Sequence, residues 1–241
     1  PRLEEILHPA GQELGRAAVP GPVLEHMAVG VPALASSSWG PSLIDGTTIA
    51  TVAVEDSPYV AHASTARIIV GVDSVIEGYT TTDAHGIDGG RRLCRVEGGS
   101  SRPCSSNVGG VIGLSEKMIE IAAEYARVRE QFGKPIGSFQ AVKHLMSDAL
   151  LKVEFAKAPT YRAAFSASIG ADTMVRDISM AKALASEAAY RTSRSTMQVH
   201  GGIGYTWEAD LQLFMKKAWA LMRAYGDPTF HRRRVSGFVL A

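Results

Sequence analysis

The chain has little cysteine, few aromatics and no excess of either charge. Its two cysteines, Cys94 and Cys104, fit no zinc-ligand spacing and cannot build a disulfide framework. They set the expectation of no metal site and of a reducing, cytoplasmic setting. Lys and Arg number 25 against 24 Asp and Glu, so no broad basic field points to nucleic acid and no acidic excess to a solvated, unfolded chain. No apolar run is long enough to span a bilayer. The opening PRLEEILHPAG has no signal-peptide form. It begins without Met and already inside a helical pattern, so further N-terminal sequence is expected upstream.

What is present is apolar material in quantity. At 46% hydrophobic over 241 residues, the chain can bury one large core or two small ones. Residues 1–35 read as short helical pieces, with Leu3, Ile6, Leu7 and Leu14 apolar and a break at Pro9. Residues 43–97 change character: TTIATVAVED, ARIIVGVDSVIEGYTTTD and RRLCRVE are β-branched and separated by Asp-Gly turn signals. The segment GGSSRPCSSNVGG reads as loop. From Val111 the chain is helical almost to its end.

Four helical stretches follow. In the first, Ile112, Met118, Ile119, Ala122 and Tyr125 share a face, and Gly133, Pro135 and Gly137 end it. The second covers 140–168, with a kink expected at Pro159. The third starts from Asp172 as N-cap and reaches His200, the fourth spans 208–225, and a short tail helix follows Pro228. This order predicts an α+β fold with a C-terminal four-helix bundle.

Two motifs interrupt the helices. In RVREQFGKPIGSFQ, Arg127 and Arg129 suit the negative end of a helix dipole. The helix-end reading explains both well; Arg129 also admits the reading of an anion clamp, because a guanidinium forks onto phosphate oxygens. Phe132 is either core or a packing wall. In MQVHGGIGYTWEAD, one glycine serves as an ordinary left-handed helix C-cap. Gly201 and Gly202 together, followed by Gly204, equally suit a backbone that a ligand approaches closely. The residues alone leave both readings open.

The stretches YARVREQFGKPIGSFQAVKHLMSDAL and QVHGGIGYTWEADLQLFMKKA, in this order, resemble the C-terminal helical domain of acyl-CoA dehydrogenases. The likeness is strong over 108–218. Residues 12–35 resemble the last helix of the family's N-terminal domain, and 45–97 a shortened middle β-domain. The implied division is 1–42, a remnant of the N-terminal helical domain; 43–104, the middle β-domain; and 105–241, the helical bundle. The resemblance implies FAD. It places Arg129, Phe132 and Gln140 near the pyrophosphate and adenine side of a neighbouring subunit's FAD. It has Gln198, Val199, His200, Gly201 and Gly202 line FAD across the dimer interface.

The same resemblance exposes departures. Acyl-CoA dehydrogenation removes a Cα proton with a carboxylate base. The family commonly keeps that glutamate in a Y-E-G-T segment, and here Tyr225 stands in its place. A phenol is a poor substitute at neutral pH. Asp227, two residues on, is a weak candidate. The family's alternative position falls near Pro103 or Cys104, with no carboxylate close by. The flavin strand keeps Glu55 but has Val54 where the family has threonine. These departures, with the ending MRAYGDPTFHRRRVSGFVLA, resemble the base-lacking subunit of bacterial α2β2 acyl-CoA dehydrogenases that act on CoA thioesters of steroid side chains. That implies a base-carrying homologous partner, an acyl-CoA substrate and an electron-transfer flavoprotein as acceptor. Three alternatives remain: a self-sufficient homo-oligomeric dehydrogenase, a flavin monooxygenase of the same fold, and a non-catalytic helical-bundle protein.

Overall fold

The computed structural model describes residues 3–34, 37–53, 57–70, 75–96 and 106–240. The C-terminal part is built on α5 (Ser106–Val128), α6 (Gln140–Ser168), α7 (Met174–His200) and α8 (Leu211–Arg223), with α9 (Pro228–Val239) laid on α7. Their apolar stripes meet in one core. Ile112, Leu114 and Met118 of α5 pack with Val153 of α6, Ala185 of α7 and Leu211 of α8, all sealed from solvent. α7 presents mostly Ala, Ser and Thr to its neighbours, which lets helices approach closely. Its buried Thr196 hydroxyl donates back to the Thr192 carbonyl at 2.8 Å.

The structure changes several expected boundaries. α5 begins at Ser106, inside a segment whose glycines and serines read as loop. α7 begins at Met174 rather than beside Asp172. Its first turn is tied by Asp177, whose carboxylate accepts from Ser166, Thr173, Arg162 and Arg176. Burial opposes the charge, but these donors hold the carboxyl well below its ordinary range. α6, by contrast, has the bounds expected of it and continues through Pro159.

α1 (Leu3–Arg16) likewise continues through Pro9. It is held by a close crossing with α5. A Cβ on Gly15 would lie 2.2 Å from the Gly110 carbonyl oxygen, and one on Gly113 1.9 Å from that of Gln12. Around the crossing, Arg16 reaches Glu120 at 3.2 Å and Gln12 donates to Glu116 at 2.8 Å. After α1 come α2 (Val23–Glu25), a π-helical turn (His26–Gly30), α3 (Val31–Leu34) and α4 (Gly40–Ile44).

The β region falls mostly within the stretches its alternation predicts, but Tyr59–Ala61 forms a strand outside them. It holds β1 (Ala50–Val52), β2 (Tyr59–Ala61), β3 (Ile68–Val70), β4 (Val75–Ile76), β5 (Thr81–Ala84) and β6 (Leu93–Val96). They form two small sheets, ordered β1-β3-β4 and β2-β6-β5. β1 and β3 run parallel with Thr51 opposite Ile69, while β6 is antiparallel to both of its neighbours. The Thr51 hydroxyl donates to the Ala61 carbonyl at 2.6 Å and so ties the two sheets. Cys94 is buried between them with Val60 and Ile69. Val54, Glu55, Pro103 and Cys104 lie outside the described residues.

A further hairpin was not expected. β7 (Glu130–Gln131) and β8 (Lys134–Pro135) pair antiparallel across Phe132-Gly133. Both turn residues have positive φ, 55° and 77°, as the type I′ turn of a two-residue hairpin requires. Leu151, Phe155, Phe165 and Ile169 of the α6 segment remain exposed. Their helical spacing makes an exposed apolar stripe.

Candidate functional site

α5 ends at Val128, and the Arg129 amide still donates to Tyr125 at 2.9 Å. This fixes where the exposed Arg129 side chain leaves the helix. α7 ends opposite it at His200. The next residue, Gly201, has φ 62° and ψ −139°, a conformation essentially closed to residues with a Cβ and different from the left-handed cap expected there. The chain then makes a short 3-10 turn, Gly201–Tyr205. Between the two helix ends lies an open cleft of about 570 Å3, lined among others by Tyr125, Arg129, His200, Gly201, Gly202 and Thr206.

The three glycines of the turn have separate reasons. Gly201 is required by its backbone angles. Gly204 is required by packing, because its Cβ would lie 3.0 Å from the His200 Cβ and 3.1 Å from the Met197 carbonyl oxygen. Gly202 is required by neither: its φ is ordinary, and a Cβ there would meet nothing within 4 Å. The fold of this chain therefore leaves Gly202 unexplained, and it borders the cleft.

His200 is not a free surface polar. It is buried, its Nδ1 lies 2.8 Å from the Thr196 carbonyl, and its ring stacks on Tyr125. Val199 is also buried, packed with Ala122 and Ala126 of α5. The structure thus brings Arg129 together with Val199, His200, Gly201 and Gly202 around one cleft. Phe132, Gln140 and Gln198 are not among the residues lining it. Phe132 is 92% exposed at the hairpin tip, edge-on to Phe139 at 6.2 Å, which excludes a core role within this chain. Gln140 is the exposed first residue of α6. Gln198 lines a neighbouring cleft of about 500 Å3 with Arg194, Tyr205, Trp219 and Arg223. Tyr125 joins the Arg129 cleft as a wall that sequence reasoning assigned only to a helix face. Its place one turn before Arg129 was the available signal.

A third cleft, of about 430 Å3, separates the β region from the bundle. Val52, Tyr59 and Ala61 face Trp219, Ala220 and Tyr225 across it. Tyr225 is 8% exposed and holds φ 60°, rare for a residue with a side chain. Its hydroxyl lies 3.3 Å from Glu25 Oε1, and its carbonyl 2.9 Å from His231 Nε2. Asp227 does not line this cleft. It caps α9, accepting the Phe230 amide at 2.8 Å. That backbone bond first, and the Thr229 amide after it, lower its pKa.

Two carboxylates near Tyr225 were not anticipated. Asp88 lines the cleft, but its Oδ1 accepts the Gly90 amide at 2.9 Å and its Oδ2 is buried without a partner. Glu25 is 5% exposed and pairs with Arg91 at 3.3 Å. It faces a chamber of only about 10 Å3 behind Tyr225, beside His62 and Lys217. Burial lowers the pKa of both His62 and Lys217. No helix of the described residues is long and apolar enough to cross a membrane.

Residues 104–239 match the family model described as acyl-CoA dehydrogenase, C-terminal domain. The acyl-CoA dehydrogenase IpdE2 of Mycolicibacterium smegmatis is 30% identical over 245 residues, covering 95% of this chain and 76% of that protein. Among solved structures, the ChsE4-ChsE5 complex from Mycobacterium tuberculosis superposes with TM-score 0.86 at 23% identity, over 97% of this chain and 80% of that one. A variant of the Tcur3481-Tcur3483 steroid ACAD also reaches 0.86, at 19% identity over 98% and 81%.

Proposed function

The chain belongs to the acyl-CoA dehydrogenase family, and within it we propose the role of a base-lacking subunit that completes an FAD site for a homologous, base-carrying partner. One observation carries this reading. The position that resemblance assigns to the catalytic glutamate holds Tyr225, committed to Glu25, while Asp227 is committed to capping α9. A self-sufficient enzyme needs a carboxylate that can touch substrate in the Tyr225 cleft. Asp88 has one oxygen in a turn and the other buried, and Glu25 faces the closed chamber.

The cleft at Arg129 fits the cofactor side of the proposal. An exposed guanidinium faces a turn whose Gly202 has open space where a Cβ would stand, and a stacked Tyr125–His200 pair forms part of the lining. Arg129 would hold the pyrophosphate, and the backbone of Gly201 and Gly202 would lie against the cofactor. FAD, when bound, supplies the hydride acceptor for dehydrogenation. This chain's residues bind and orient it, and proton abstraction falls to the partner. The exposed α6 stripe supports assembly with another chain. The ChsE4-ChsE5 complex and Tcur3481-Tcur3483 among the structural neighbours support a heteromer, and the second, a steroid ACAD, supports steroid side-chain CoA thioesters as substrate. An electron-transfer flavoprotein is the proposed acceptor.

The test is acyl-CoA-dependent dye reduction by this chain alone and after co-expression with a glutamate-bearing homologue. Turnover is expected only from the pair. Full turnover by this chain alone overturns the proposal.

A further inference from the structure

Behind Tyr225, four charged side chains that no catalytic or cofactor role absorbs gather from distant parts of the chain. Glu25 comes from α2, Asp88 and Arg91 from the turn before β6, and Lys217 from α8. Two are acidic and two basic, so the cluster is balanced, as burial demands. Arg91 Nη2 lies 3.3 Å from Glu25 Oε1, across 66 residues of sequence. The Tyr225 hydroxyl reaches the same oxygen at 3.3 Å, across 200 residues. Lys217 Nζ donates to the Val19 carbonyl at 2.8 Å, which ties α8 to the segment before α2.

The loop that delivers Tyr225 is built for the contact. Tyr225 takes positive φ, and Gly226 follows at φ 97°, where a Cβ would meet the Phe230 ring at 2.5 Å and His231 at 3.0 Å. His231 fixes the Tyr225 carbonyl from behind. A left-handed tyrosine persists only where surrounding contacts determine it.

We infer that Glu25, Arg91 and Tyr225 form an interdomain lock, joining the N-terminal helices, the β region and the helical bundle at one buried point. The lock ends the 430 Å3 cleft at Tyr225 and fixes its width. It stands on these contacts whether or not the chain contributes to an FAD site.

The test is hydrogen exchange on the full chain, comparing Glu25→Gln, Tyr225→Phe and the double variant. A bond to a buried carboxylate contributes enough that its loss speeds local opening about tenfold. Glu25→Gln is expected to speed exchange at 224–227 by that factor, and Tyr225→Phe to do the same at 23–26 and 91–93. The double variant is expected to exceed the larger single effect by less than twofold, as coupled residues do. If Tyr225→Phe does not fold, Glu25→Gln alone decides through its effect at 224–227. Exchange changes confined to the substituted segment, or additive in the double variant, overturn the lock.

Discussion

Tyr125 and His200 stack with ring centroids 4.5 Å apart and planes 14° from parallel, joining the end of α5 to the end of α7 beside Arg129. The contact makes the cleft part of the bundle rather than a feature of two loose helix ends. The imidazole is also held by the Thr196 carbonyl one turn back. His200→Ala removes a stacked ring and a buried hydrogen bond together, at a cost on the order of 2 kcal/mol. Urea denaturation should show this as a lower midpoint with unchanged slope. His200→Phe keeps the stack and should lose less.

Asp227 is expected to be structural. Asn is as good an N-cap as Asp, so Asp227→Asn should leave both stability and partner-dependent turnover near the parent values. Asp227→Ala should cost about 1 kcal/mol through the lost cap. A large loss of turnover in Asp227→Asn, at preserved stability, would make Asp227 catalytic after all.

His231 gives a pH signature. Burial pushes its pKa down from 6.5 to about 4, so the folded state keeps the ring neutral where the unfolded chain already takes a proton. Its depressed value means stability is fully present above the unfolded pKa and falls as pH drops from 6.5 toward 4. Between pH 7 and 5 this group alone should remove on the order of 2 kcal/mol. Chemical denaturation at the two pH values checks it, and His231→Asn should flatten the difference.

Much of the fold is readable from residue pattern. The bundle helices announce themselves through 3.6-residue periodicity, and the β-branched runs mark the strands. What escaped has specific causes. Two-residue strands such as Glu130–Gln131 are too short to alternate, so the hairpin carrying Phe132 read as a simple break. Pro9 read as a helix end because its cost is local, whereas the Gly15–Gly110 crossing that holds α1 against α5 is tertiary. Ser106 read as loop for the same reason.

The site divides along the same line. Sequence marked Arg129 and the double glycine as unusual but left bland and functional readings open, because only the fold sets them across one cleft. It could not separate Gly201, Gly202 and Gly204, whose reasons are backbone, open space and packing in turn. The Tyr225–Glu25 contact spans 200 residues and has no local signal at all. That Tyr225 stands where the family commonly keeps its glutamate is what the resemblance implies, and no periodicity or spacing in this chain points to it.

Gly202 offers the most direct test of the claim that this chain lends part of an FAD site to a partner. A side chain there meets nothing in its own fold, so Gly202→Leu should leave the thermal midpoint of the co-expressed pair nearly unchanged. The measurement is the flavin absorbance of that purified pair beside the parent. Loss of most of the bound flavin is expected, with turnover falling in proportion even with the proposed base on the partner. Full flavin content and undiminished turnover in the folded Gly202→Leu pair would contradict it.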